Sequence, residues 1–501
     1  MRSMSRSIKT ILITTTEIAL ATVIALAGVR FRAMEYSMEA YSIHCARNPG
    51  EHLAGTPVWY VTNVWTTLFG EGVLSLRIMV AVSVLLASAI GALYFYRSTG
   101  RIAAAASLFV LAVTGAAAGA QFSFNWLSAS YPVLALTTIA LIEWGRRGGV
   151  LRAVAALTGV IISGWCLSAP FAEITSEALT GNLRETLVDY ASVSFEQNMY
   201  WAPCTLAIIG ALLCARVYPD YRKWTIILCG TIILLFSMFI GHEMMSQYYL
   251  ERNMRGALHP LALTLLLLAP LRNLFMANSP KEKIHVPSAA LWLVGIFLLL
   301  IPTGAPAPEA LGMAPVYFAI APITGLLWCI STPGMKRFIR LSLMFSAICV
   351  GGIWSVRIAW LNKNNSTPLD DIPMHAGMMS HPWEYHSLRV QIDSATVYSS
   401  RGEHFLVPRG HNRLRVMPGI QLNGKEDFTL VHPSLIRNPS QYEPVMLPGL
   451  ERAHAVIIEG NDGLQPFVVE CLMTHYGFTC NTNLRQSAVW VRGEQTSYSG
   501  H

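Results

Sequence analysis

A chain of 501 residues that is 53% hydrophobic and only 13% charged cannot cover a water-facing surface, because soluble proteins carry about 25% charged residues. The same arithmetic excludes a disordered chain, and nine cysteines in this length exclude a disulfide-dense secreted scaffold. The formal net charge of +7 comes with no basic stripe interleaved with aromatics, so no nucleic-acid partner is expected. What remains is an α-helical polytopic membrane protein with some soluble mass attached.

In chain order, Met1 to Arg30 has a basic start and an apolar core, but no small-residue cleavage site follows. It reads as a retained first helix rather than a signal peptide. Further apolar runs centre on Ser83, Val110, Leu136, Ile161, Ile208, Ile232, Leu265, Val294, Thr324 and Ile348. With the first helix, centred on Ile18, that makes about eleven spans of the length a bilayer requires. Basic residues gather in alternate loops: Arg2, Arg6 and Lys9; Arg97 and Arg101; Arg146, Arg147 and Arg152; Arg216, Arg222 and Lys223; Arg272, Lys281 and Lys283; Lys336, Arg337 and Arg340. The positive-inside rule puts these loops and the N-terminus in the cytoplasm and the tail outside.

Two domains are expected, a membrane domain over residues 1–361 and an extracytoplasmic α/β domain over residues 362–501. The tail carries 11 basic and 13 acidic residues, leaving 25 and 16 before it. Ala455 to Glu459 and Ala488 to Arg492 read as strands, and Gln465 to Tyr476 between them as an amphipathic helix. Cys471 and Cys480 lie in this unit, on the oxidising side, and are candidates for a disulfide, with two free thiols as the alternative. His375, His381 and His386 gather with Met374, Met378 and Met379. They suggest either a copper or zinc site or, more simply, a flexible polar linker.

Three outer loops could carry chemistry: residues 31–74, 173–200 and 242–256. If the first begins as a helix, Arg32, Glu35 and Glu39 share one face at i, i+3 and i+7. Acids beside an arginine at the membrane surface are costly to keep without purpose. The plainer reading is an interfacial helix showing its polar side to water. The third loop holds Tyr248, Tyr249, Arg252 and Arg255, with His259 just beyond. Arginine suits a phosphate because its fork donates two parallel hydrogen bonds and its charge persists. Snorkelling to the interface is the plainer role. His242-Glu243 lacks the second histidine of a zinc helix, and no P-loop, dinucleotide-binding glycine pattern or nucleophile elbow is present.

Taken together, Glu39-Ala-Tyr41-Ser, Gly55-Thr-Pro57-Val-Trp-Tyr60, Leu68-Phe-Gly70 and Leu76-Arg77 resemble the start of polytopic GT-C glycosyltransferases. The closest look is to bacterial enzymes similar to protein O-mannosyltransferases and to the lipid A aminoarabinose transferase. Arg255 to Pro260 resembles a later arginine-containing loop of that family. The specific motif covers about forty residues. It departs from the family at Met38, where an aspartate usually precedes the glutamate.

The resemblance implies transfer of a sugar from a polyprenyl-phosphate donor to a hydroxyl of a glycan, lipid or protein acceptor, at the outer face of a bacterial cytoplasmic membrane. It implies Glu39, or else Glu35, as the base that accepts the hydroxyl proton. Arg252, Arg255, His259 and Arg32 would bind the departing phosphate, and Tyr41, Tyr60, Tyr248 and Tyr249 would line the substrate path. No resident cofactor is implied, and a divalent metal is left open. A second reading is a non-catalytic carrier that flips a polyprenyl-linked lipid. It needs an acid-lined path through the membrane, and Glu17 is the one clear acid in a predicted span. An acyltransferase using His259 is a third, with no acyl-transfer motif behind it.

Overall fold

The computed structural model describes residues 2–31, 33–34, 38–49, 56–120, 130–166, 333–401, 405–406, 413–418, 420, 453–459, 477–484 and 487–492. Labels below run in chain order over these residues. The predicted spans centred on Ile208, Ile232, Leu265, Val294 and Thr324 lie outside them, as do the second and third outer loops and the predicted helix 465–476.

Six predicted spans fall on described helices: α1 (Arg2–Ala27), α4 (Val73–Thr99), α5 (Ile102–Ala120), α6 (Tyr131–Arg147), α7 (Val150–Cys166) and α8 (Pro333–Asn364). Among the described residues α4 is long and apolar enough by itself to cross a membrane. Helix α5 packs against α1, α4 and α8 at once, while α4 also meets α6, and α6 meets α7. Composition explains this centre: Ala104, Ala105, Ala106, Ala112 and Ala117 of α5 are all buried, and small side chains let neighbouring helices approach closely. The α6–α7 contact uses the same device. Gly159 faces Thr137, whose hydroxyl lies 2.9 Å from that of Ser163.

The outward faces are apolar. Leu86 and Leu93 of α4, Leu157 and Ile161 of α7, and Ile348 and Val356 of α8 are all exposed. A water-soluble protein does not show apolar area on this scale; lipid is the solvent that suits it.

Between α1 and α4 run two shorter helices, α2 (Met38–Arg47) and α3 (Thr56–Phe69). Helix α3 leans on α2, α4 and α7. Trp65 of α3 donates its indole N–H to the Ser75 carbonyl at 3.1 Å, and Asn63 donates to the Ala46 carbonyl of α2 at 3.2 Å.

The chain leaves α8 into a strap, residues 365–380. Its ends pair as a short antiparallel ribbon, β1 (Thr367–Pro368) with β2 (Met379–Ser380). Leu369, Ile372, His375 and Met378 are buried in it. This corrects the flexible linker expected from the sequence: His375 and the methionines belong to a packed turn, and His386 is an exposed residue of the helix that follows. His381 instead caps α9 (Pro382–Ser400), its Nδ1 accepting from the Trp383 N–H. The strap is tied to α9 from outside, where the Tyr385 hydroxyl donates to Asp371 at 2.8 Å and Arg389 reaches the same carboxylate at 3.1 Å. That donation pushes the Tyr385 phenol above its ordinary pKa.

Helix α9 packs on a mixed four-stranded sheet in the order β3-β4-β6-β5. Strands β4 (Ala455–Glu459) and β6 (Ser487–Arg492) fall where the sequence places strands, whereas β5 (Phe478–Leu484) was not expected. Strand β3 (Phe405–Leu406) runs parallel to β4, and the other pairs are antiparallel. A 3-10 turn, Arg413–Val416, lies against both α2 and α9, with Leu414 and Val416 buried. The tail thus docks on the helix that carries Glu39.

The turn out of α1 is tightly packed. A Cβ added at Gly28 would stand 2.7 Å from Cζ2 of Trp354, a ring with no exposed surface. Gly28→Ala should therefore destabilise the protein by about 1–3 kcal/mol, the usual scale of overpacking. A lower melting midpoint in detergent is the readout.

Candidate functional site

Arg77 sits in the first turns of α4 and is 3% exposed; Glu39 sits in the first turn of α2 and is 1% exposed. Their side chains form a two-point pair. Arg77 Nε donates to Oε1 of Glu39 at 2.8 Å, and an Nη donates to Oε2 at 2.7 Å. The remaining guanidinium hydrogens go to backbone carbonyls. Ala33 accepts at 3.0 Å, Phe31 at 2.8 Å and Val29 at 3.5 Å. A guanidinium has five N–H donors, and all five are directed at protein acceptors. Burial of a charge is costly unless it is paired and hydrogen-bonded in this way. The ion pair closes the segment from Val29 to Glu39 around one side chain of α4.

The helix expected over Arg32, Glu35 and Glu39 falls largely outside the described residues. Among those described, Phe31 makes an isolated bridge to Met379, Ala33 and Met34 belong to no helix or strand, and α2 begins at Met38. Arg77 takes the Phe31 and Ala33 carbonyls, which a helix running on through them would need for its own ladder.

The strap holds the same segment from the opposite side. Nε2 of His375 accepts the Met34 N–H at 3.0 Å, and its Nδ1 lies 2.7 Å from the Pro373 carbonyl. An acceptor at Nε2 and a carbonyl at Nδ1 define the neutral ring with its proton on Nδ1. Met379 N–H donates to the Arg30 carbonyl at 2.8 Å. Met374, at φ +67°, turns its carbonyl to the Val73 N–H at 2.8 Å and so caps the first turn of α4. The N-cap residue there, Gly72, has no side chain to do so. Arg47 and Glu71 pair at 2.8 Å near the surface, where such a bridge contributes little.

Of the other residues singled out in the sequence, Tyr60 is on α3 and 54% exposed, whereas its neighbour Trp59 is wholly buried. Tyr41 lies on α2, and Cys480 on β5. Arg32, Glu35, Tyr248, Tyr249, Arg252, Arg255, His259 and Cys471 lie outside the described residues. No cluster of His, Cys, Asp or Glu able to hold a metal occurs among the described residues. Sequence reasoning named Glu39 and Arg77 separately without pairing them. It also missed His375 as a partner of the first loop, and no sequence signal links positions 341 residues apart.

The class these observations define is a largely α-helical protein with exposed apolar helix faces, one helix long and apolar enough to cross a membrane, and C-terminal segments that pack back onto α2 and the residues before it. No family model matches the sequence, and no curated protein does. Among solved structures the chain is similar to the crystal structure of ArnT from Cupriavidus metallidurans in the apo state, at TM-score 0.41 and 12% identity over 96% of this chain and 97% of that one. It is likewise similar to the crystal structure of ArnT from Cupriavidus metallidurans bound to undecaprenyl phosphate, at TM-score 0.36 and 12% identity over 96% and 98%.

Lysine at position 77 would keep the charge but bring three donors without the planar fork. Arg77→Lys should leave loop carbonyls unsatisfied and lower stability by about 1–3 kcal/mol. Hydrogen exchange should rise within residues 28–40 while α6 and α7 stay protected. Unchanged exchange in that segment would show that the five donors are not what holds it.

Proposed function

We propose that the protein is an inverting glycosyltransferase that moves a sugar from a polyprenyl-phosphate carrier to an acceptor hydroxyl at the outer face of the bacterial cytoplasmic membrane. The observation that carries this reading is the meeting of the motif's two ends. Glu39 and Arg77 bound the stretch that resembles the GT-C enzymes, and they are joined by a buried two-point ion pair. In this reading the stretch lies at the outer end of the helices, where a lipid-borne substrate would arrive.

The chemistry asked of the loop is modest. The acceptor oxygen forms a bond to the anomeric carbon as the bond from that carbon to the phosphate oxygen breaks. A carboxylate takes the hydroxyl proton. The phosphate already leaves well, so no second acid is needed, and cations stabilise its charge as it departs. A single displacement inverts the anomeric centre.

Of the two carboxylates, Glu39 has both oxygens engaged by Arg77, which suits it to holding the loop. We therefore take Glu35, four residues earlier, as the base, with Glu39 as the alternative. Arg252, Arg255 and His259 are proposed to bind the leaving phosphate.

The test is turnover by the purified protein on a panel of short polyprenyl-phosphate sugars, with membrane extract as acceptor. Wild type should release free polyprenyl phosphate. Glu35→Gln should lose at least roughly 100-fold in rate at an unchanged melting midpoint, while Glu39→Gln loses rate and stability together. Loss of rate in Glu39→Gln alone, at full stability, would return the base to Glu39. No release from any donor would favour a carrier, with the arginines as its lipid-phosphate site.

A further inference from the structure

We infer that His375 is a positioning residue for the first loop, acting through the Met34 N–H on the segment that leads into Glu35. The inference rests on the glycosyltransferase reading only for its kinetic consequence; the latch itself is geometric.

The ring has no exposed surface, and each nitrogen faces a backbone atom, one of its own strap and one of the loop. The strap touches both sides of the Arg77–Glu39 clamp. On the loop side it meets Arg30 through the Met379 N–H, and Met34 through His375. On the helix side it meets Val73, four residues before Arg77, through the Met374 carbonyl. Close packing continues at Gly377, where an added Cβ would lie 2.9 Å from Leu74. Gly377 and Met374, three residues before it, both hold positive φ angles, +77° and +67°. Methionine rarely adopts that conformation, so the surrounding contacts must over-determine it. Such a turn is held where one particular carbonyl and one particular ring have to point.

The consequence concerns position rather than affinity. Arg77 fixes the carbonyls of Phe31 and Ala33, and His375 fixes the next N–H. Together they fix the backbone of residues 31 to 34. A reacting group that is misplaced by about an ångström can lose on the order of 100-fold in rate.

Two substitutions separate the two ring nitrogens. His375→Gln carries its amide to the Nε2 position and can still accept from Met34. His375→Asn reaches only the Nδ1 position; it keeps the Pro373 contact and gives up the bond from the Met34 N–H. In the full-length protein, reconstituted in nanodiscs, His375→Asn should lower kcat about 10- to 100-fold with the donor KM nearly unchanged. His375→Gln should stay within roughly threefold of wild type. Hydrogen exchange of residues 30–40 should rise in His375→Asn and not in His375→Gln. Equal kcat and equal exchange in the two variants would overturn the latch, as would an effect confined to KM. If wild type turns over no donor, the glycosyltransferase reading fails by itself. The latch then stands or falls on the exchange difference alone.

Discussion

One buried guanidinium decides the shape of the first loop. Arg77 could not sit inside the protein with unmatched hydrogens, and the chain answers by bringing three carbonyls and a carboxylate to it. Those acceptors lie between α1, which ends at Ala27, and α2, which begins at Met38. Carbonyls committed to a side chain of α4 are not free for a helical ladder. Pairs of this kind add little net stability compared with well-packed apolar side chains, but losing one partner is severe. That asymmetry suits a part whose task is to set a unique geometry.

The tail enters the same arrangement rather than hanging from it. The strap after α8 reaches back across the sequence to cap α4 and to bond Met34, and the 3-10 turn at Arg413–Val416 lies on α2. The first loop is therefore held by α4 on one side and by the tail on the other. A domain that followed the membrane helices as a separate body would leave the loop to Arg77 alone.

How much of this could be read from the sequence varied with the range of the interaction. The helices α1, α4, α5, α6, α7 and α8 were legible because an apolar run is a local property. Strand β4 was legible as a short apolar run, and β6 likewise. Strand β5, with Thr479, Asn481 and Asn483 along it, has too polar a pattern to announce itself and is held by its register with β6. Helix α9 buries Leu388, Ile392 and Ala395 on one stripe, but Ser387 and Gln391 are buried beside them and blur the period. The site was half legible. Glu39 and Arg77 stood out as residues, yet their contact depends on how α2 packs near α4. Nothing local could show that His375 is a backbone acceptor rather than part of a metal cluster or linker.

The double-mutant cycle on Glu39 and Arg77 tests this account most directly, with Glu39→Met and Arg77→Met made singly and together and stability read by denaturation of the full chain. Each single change should cost about 3–5 kcal/mol, because each strands a buried charge or its partner. The double change should cost clearly less than the two single losses added, because the carbonyls of residues 29, 31 and 33 lose their donor only once, giving a coupling well outside the additive range of about 0.5 kcal/mol. Additive losses, or a single change without effect, would contradict the claim that this pair organises the loop.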